Sequence, residues 1–107
     1  MAGAFLYSGR RDPTWAIPSS VVRRLVKIWD SLQSWMGRAP TPPALGYRGC
    51  FLRDLENREW QAYGGTVTLV QGGRQESRRD DDRKFETAVL ASAPRGTIPP
   101  SFLEKGF

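Results

Sequence analysis

Eight apolar residues recur on one side of a helix between positions 21 and 36, and that stripe limits what this chain of 107 residues can fold into. Val22, Leu25, Trp29, Leu32 and Met36 follow one another at three and four positions, with Val21, Ile28 and Trp35 alongside. At 100° per residue the eight span an arc of about 140°. Arg23, Lys27, Asp30 and Ser34 line the opposite face. The arc is wider than a coiled-coil seam, where only two positions in seven are apolar. It calls for a broad apolar partner, and a sheet face is the economical one. Fully burying each large side chain is worth roughly 1.5–3 kcal/mol, so packing outweighs helix propensity here. Ser19 or Ser20 is placed to cap this helix and Gly37 to stop it, which predicts a helix reaching Met36.

The rest of the chain supplies candidate strands. Residues 4–7 form a short apolar run closed by Ser8-Gly9. Pro40, Pro42 and Pro43 make an extended connector after the helix. Residues 45–52 read as a second strand, with Tyr47 on the side of Phe51 and Arg48 on the side of Cys50. Residues 59–70 form a third, interrupted by Gly64-Gly65; a single bent strand is favoured over a hairpin, which would add a fourth. Residues 71–82 are polar and charged and read as an exposed loop. One of Asp80, Asp81 and Asp82 is expected to cap a second helix over residues 83–93. Residues 95–107 form an irregular tail. The expected architecture is α+β in one domain spanning residues 1–107. It is a small single-layer sheet of three to four strands packed against two helices, in the order β-α-β-β(-β)-α, with a right-handed crossover if the strands that the first helix joins are parallel.

Composition excludes much chemistry. There is no histidine, which removes the usual neutral-pH base and the commonest zinc ligand. Cys50 is the only cysteine, so no internal disulfide forms, and a small inert side chain is the expectation for it. The three consecutive aspartates do not converge on one ion. No phosphate-loop or dinucleotide motif is present. No catalytic residue, metal site or cofactor is assigned, and a non-enzymatic protein is expected. No apolar run approaches the ~20 residues needed to cross a bilayer, and no basic segment followed by an apolar run opens the chain. A cytoplasmic location is expected.

What remains is recognition. The net charge is +5. It falls in residues 1–58, which hold nine Lys or Arg against four Asp or Glu; residues 59–107 balance at seven each. Arg10, Arg11 and Trp15 crowd one short segment around Pro13, and Tyr47 and Arg48 mark a second. Guanidinium groups fit carboxylates and phosphates bidentately, and an indole offers a stacking face. These five residues are the candidate site for a protein partner or a small anionic ligand. The segments Ser8-Gly9-Arg10-Arg11-Asp12-Pro13-Thr14-Trp15 and Leu45-Gly46-Tyr47-Arg48-Gly49 together resemble a pattern found in short bacterial proteins. The resemblance covers the first half of the chain and implies no catalytic or ligand residue. A basic nucleic-acid-associated protein using Arg23, Arg24 and Lys27 is the runner-up. A small enzyme using Cys50 or a carboxylate comes third. A monomer or weak homodimer is expected, the latter if Trp29 or Trp35 overflows the sheet.

Overall fold

The computed structural model describes residues 1–6, 11–38, 40–42 and 46–99. They form β1 (Ala2–Ala4), β2 (Thr14–Trp15), α1 (Ser19–Ser31), β3 (Gln33–Ser34) and β4 (Cys50–Arg53). There follow β5 (Glu59–Tyr63), β6 (Thr66–Gln71), β7 (Arg74–Arg79), a 3₁₀ turn (Asp81–Arg83) and α2 (Lys84–Ala91). The class is α+β, but the expected sheet of three to four strands is overturned. Among the described residues it is a seven-stranded, wholly antiparallel sheet in the order β2-β1-β4-β5-β6-β7-β3. Among the described residues there is no parallel crossover. None of the described helices is long and apolar enough to cross a membrane.

Two glycine turns account for the longer extra strands. Gly64 and Gly65 both hold positive φ, +59° and +88°. That is the pair of conformations a two-residue hairpin turn needs, so residues 59–71 split into β5 and β6. Gly72-Gly73 repeats the device and turns the chain into β7. This strand, Arg-Gln-Glu-Ser-Arg-Arg, occupies part of the segment expected to be a loop, and it carries no apolar side chain. Its backbone is satisfied by β6, and its side chains pair locally: Thr68 and Ser77 hydroxyls lie 2.9 Å apart, and Arg78 Nε donates to Glu76 at 2.7 Å. The other additions, β2 and β3, are two-residue strands at the sheet edges.

The first helix begins where expected but ends five residues early. Pro18 stands at its N-cap without a side-chain hydrogen bond, and its carbonyl accepts the Val21 and Val22 amides. The expected Ser19 or Ser20 cap is therefore not made; both lie inside the helix. At the other end Leu32 turns extended, and residues 33–34 join β7 as β3. The Trp29 carbonyl accepts both the Leu32 amide and Arg78 Nη1, the latter at 2.7 Å. The same guanidinium lies 4.2 Å from the Trp29 ring centroid. A cation at the negative end of the helix thus favours its ending at Ser31. Met36, beyond it, is 96% exposed.

Register places the core on one sheet face. Ala4, Cys50 and Ala62 lie across β1, β4 and β5 in one row, and Ala2, Leu52, Trp60 and Leu69 in the next. The small side chains of the first row let α2 pack close to the sheet. Phe85, Val89 and Leu90 of α2 meet Leu25 and Trp29 of α1 over this face. On the other face lie Phe51, Gln61, Thr68 and Ser77, with the Phe5 ring 5.1 Å from that of Phe51. The topology makes α1 the connection between β2 at one sheet edge and β3 at the other.

Candidate functional site

One end of the sheet gathers the segments rich in arginine, aromatic and acidic residues. The C-terminal end of β1, the start of β4, the β5–β6 turn and the start of α2 all lie there. Residues 5–6 continue β1 beyond the formal ladder. The Phe5 amide donates to the Gly49 carbonyl and the Arg48 amide to the Phe5 carbonyl, both at 2.8 Å. From the other side the Leu6 amide donates to Asp12 Oδ1 at 2.8 Å. Residues 11–13 and 46–49, far apart in sequence, therefore flank the same two residues.

Gly49 decides which way the second segment faces. Its φ is +113°, and an added Cβ would stand 2.7 Å from the Ala62 carbonyl oxygen. Only glycine fits such a conformation and approach without strain. The strand alternation expected from the sequence reverses there. Tyr47 reaches α2 and donates its hydroxyl to Glu86 Oε2, on the side of Cys50. Arg48 lines a groove of about 210 Å³ with Phe5, Gln61, Tyr63, Thr66 and Thr68.

Beneath Tyr47 lies a polar interior. Glu86 is 0% exposed. The Gly64 backbone faces its carboxyl group, but no well-formed hydrogen bond reaches Oε1. Burial pushes this carboxyl above its ordinary range, against the Tyr47 hydroxyl and the Arg83 charge, and the neighbouring Asp80 adds to the rise. Asp80 is also buried and caps α2, accepting the Phe85 amide at 2.8 Å and the Glu86 amide at 3.0 Å. Burial raises its carboxyl too, while those two amides oppose the rise. The cap expected among the three aspartates is therefore Asp80, set back by a 3₁₀ turn in which Asp82 and Arg83 adopt left-handed backbone. The Tyr47 hydroxyl is raised by burial, by Cys50 and by Glu86, so it stays protonated and donates.

A second groove of about 510 Å³ adjoins the first, sharing Pro40 and Thr66 with it, and its lining includes Arg38, Arg79 and Arg83 together with Asp81 and Asp82. The Arg79 guanidinium lies 5.1 Å from the Trp35 ring centroid. The connector proline Pro40 thus walls both grooves, and Pro42 the first.

The five residues singled out from the sequence separate. Tyr47 and Arg48 are at this end; Arg11 is exposed beside it, in the segment that Asp12 anchors. Arg10 lies outside the described residues. Trp15 is elsewhere: it is 6% exposed, pairs with Ala2, and donates its indole N–H to Ser92 Oγ at 2.9 Å. Its ring is a core side chain with its polar atom satisfied, and offers no stacking face. Cys50 is fully buried, and burial and Glu86 both push its thiol up, which disfavours the thiolate a nucleophile needs. Sequence reasoning missed Glu86; its one signal was a lone acid inside the apolar run Phe85-Glu86-Thr87-Ala88-Val89-Leu90. Among the described residues no group of three or more potential metal ligands occurs. Comparison of the chain with family models, curated proteins and solved structures returned no match, so the resemblance of its first half to short bacterial proteins gains no support there.

Proposed function

We propose that the protein is a non-enzymatic binding module, and that the sheet end flanked by residues 11–13 and 46–49 receives an anionic group. That group is carried by a protein partner or by a small ligand. One observation carries the reading: two arginine-bearing segments are hydrogen-bonded to the same pair of residues, Phe5 and Leu6. A surface built from distant segments on a rigid strand holds charged groups in place without the ordering cost a floppy loop would incur. Arg48 faces a groove rather than bulk solvent, where a guanidinium meets a carboxylate or phosphate with less competition from water. The sealed thiol of Cys50, the absence of histidine and the burial of Asp80 and Glu86 favour binding over catalysis.

Titration of ¹⁵N-labelled protein with inorganic phosphate and with acetate tests this. Saturable amide shifts confined to residues 11–13, 46–49 and 64–66, lost in the Arg11→Ala/Arg48→Ala double variant, are expected. Shifts centred on Arg23, Arg24 and Lys27 would transfer the anion site to the exposed face of α1 and favour a nucleic-acid ligand instead. In that case affinity for single- or double-stranded DNA would fall steeply between 50 and 200 mM salt, which are the conditions to compare.

A further inference from the structure

The opposite end of the sheet carries a different kind of surface. The β4–β5 hairpin and the first turn of α1 enclose a groove of about 540 Å³. Ile17 and Val22 form part of its lining, and Met1 and Leu55 stand over it. Three large apolar side chains are exposed among the described residues, and two of them are these: Met1 at 47% and Leu55 at 103%. Leu55 is not held out by a loose loop. Asp54 Oδ1 accepts the Glu56 and Arg58 amides at 3.0 and 3.1 Å, and Asp54 Oδ2 accepts Arg58 Nε at 2.8 Å. A leucine fixed in water by a tightly bonded turn serves no folding purpose, and apolar side chains clustered at a groove mark contact surfaces.

The charges of the groove have a sense. Arg58 is matched by Asp54 and Glu56, and Arg53 by Glu59. Arg23, exposed on α1 and lining the groove, makes no ion pair with any described residue. The first turn of α1 holds no acidic residue and no side-chain cap, so its positive end adds to the same field. An apolar trough with an unpaired guanidinium at its rim complements apolar anchors flanked by carboxylates. We propose that this groove docks an acidic amphipathic segment of a partner protein, with an apolar side chain between Leu55 and Val22 and a carboxylate on Arg23. The surface is separate from the anion site at the other end and does not depend on it.

The test uses the full chain and a synthetic peptide of about 14 residues, four helical turns, with leucines spaced three and four apart and glutamates elsewhere. The expected result is a saturable shift of the amides of residues 17–23 and 54–58. Leu55→Asp should weaken binding about tenfold or more, Arg23→Glu about fivefold, and a lysine-for-glutamate peptide more than either. Leu55 is fully exposed, so its replacement leaves the fold intact, which a thermal melt verifies. Equal affinity of wild type and Leu55→Asp for the glutamate peptide overturns the proposal, as does equal affinity for the lysine peptide. Sedimentation showing a wild-type dimer that Leu55→Asp makes monomeric also overturns it, by seating a second copy in the groove.

Discussion

The two ends of the sheet solve opposite problems. At the Arg48 end the polar groups go inward: the half-buried Tyr47 and the buried Asp80 and Glu86 form a set that fixes the start of α2 and the segment bearing Arg48. At the hairpin end the charges stay at the surface and pair there, while Leu55 goes outward. The first arrangement positions groups accurately but ties folding to protonation. The second is indifferent to the fold and leaves its apolar surface exposed. Substitutions at the first end should therefore cost stability and depend on pH, and those at the second should cost binding alone.

Breaking the inward network at its centre has the largest expected effect. Asp80→Ala removes the acceptor of two buried amides and the cap of α2, and urea unfolding should show a loss of about 3 kcal/mol. Tyr47→Phe comes next. It leaves Glu86 Oε2 without its hydroxyl donor, at a cost of roughly 1–3 kcal/mol near neutral pH, and the same unfolding measurement reads it.

Glu86→Gln sharpens the contrast by sign rather than size. The folded carboxyl sits above its ordinary value of 4.5. Above that pH the unfolded chain holds fewer protons at this site than the folded one, so wild-type stability falls as pH rises through the window up to the folded value. The glutamine keeps an acceptor for Tyr47 and cannot ionise. Its stability relative to wild type should grow from about pH 4.5 upward; identical pH profiles would show that Glu86 is not the group responsible. The smallest effect is at the other end, where Leu55→Asp should change stability by less than about 0.5 kcal/mol at any pH in that range. A larger change there would erase the distinction between the two ends.

Much of the fold was legible from the residues, and what was not has identifiable causes. The apolar stripe of α1 announced a helix on a sheet because burial of Leu25 and Trp29 dominates its energetics. The stripe gave no warning of the early stop at Ser31, since the cation that favours it, Arg78, comes from β7. That strand was invisible to hydrophobic patterning because it has no apolar residue, and only the Gly72-Gly73 turn pointed to it. Two-residue strands such as β2 and β3 exist through their neighbours' hydrogen bonds and leave no periodicity of their own. At the Arg48 end, residue types singled out Tyr47 and Arg48 as candidates, but the positive φ of Gly49 sent them to opposite sides from those expected. Trp15 looked exposed beside a proline; its pairing with Ala2 buried it. Leu55 sat unnoticed between the strands expected over residues 45–52 and 59–70, because only three-dimensional packing distinguishes a stranded leucine from a buried one.

The course of the chain through α1 has a mechanical consequence. Both outermost strands of the sheet belong to the stretch that runs through this one helix, from residue 14 to residue 34. It works as a strap buckled at each border of a fabric. If the strap loosens, the unpaired backbone rims of β1 and β7 are bared together, and two sticky rims make neighbouring molecules join into chains rather than pairs. Shielding against such polymerisation thus rests on the integrity of 13 helical residues, and backbone amides at positions 14–15 and 33–34 will surrender their deuterium protection in a single event despite lying at opposite margins of the molecule.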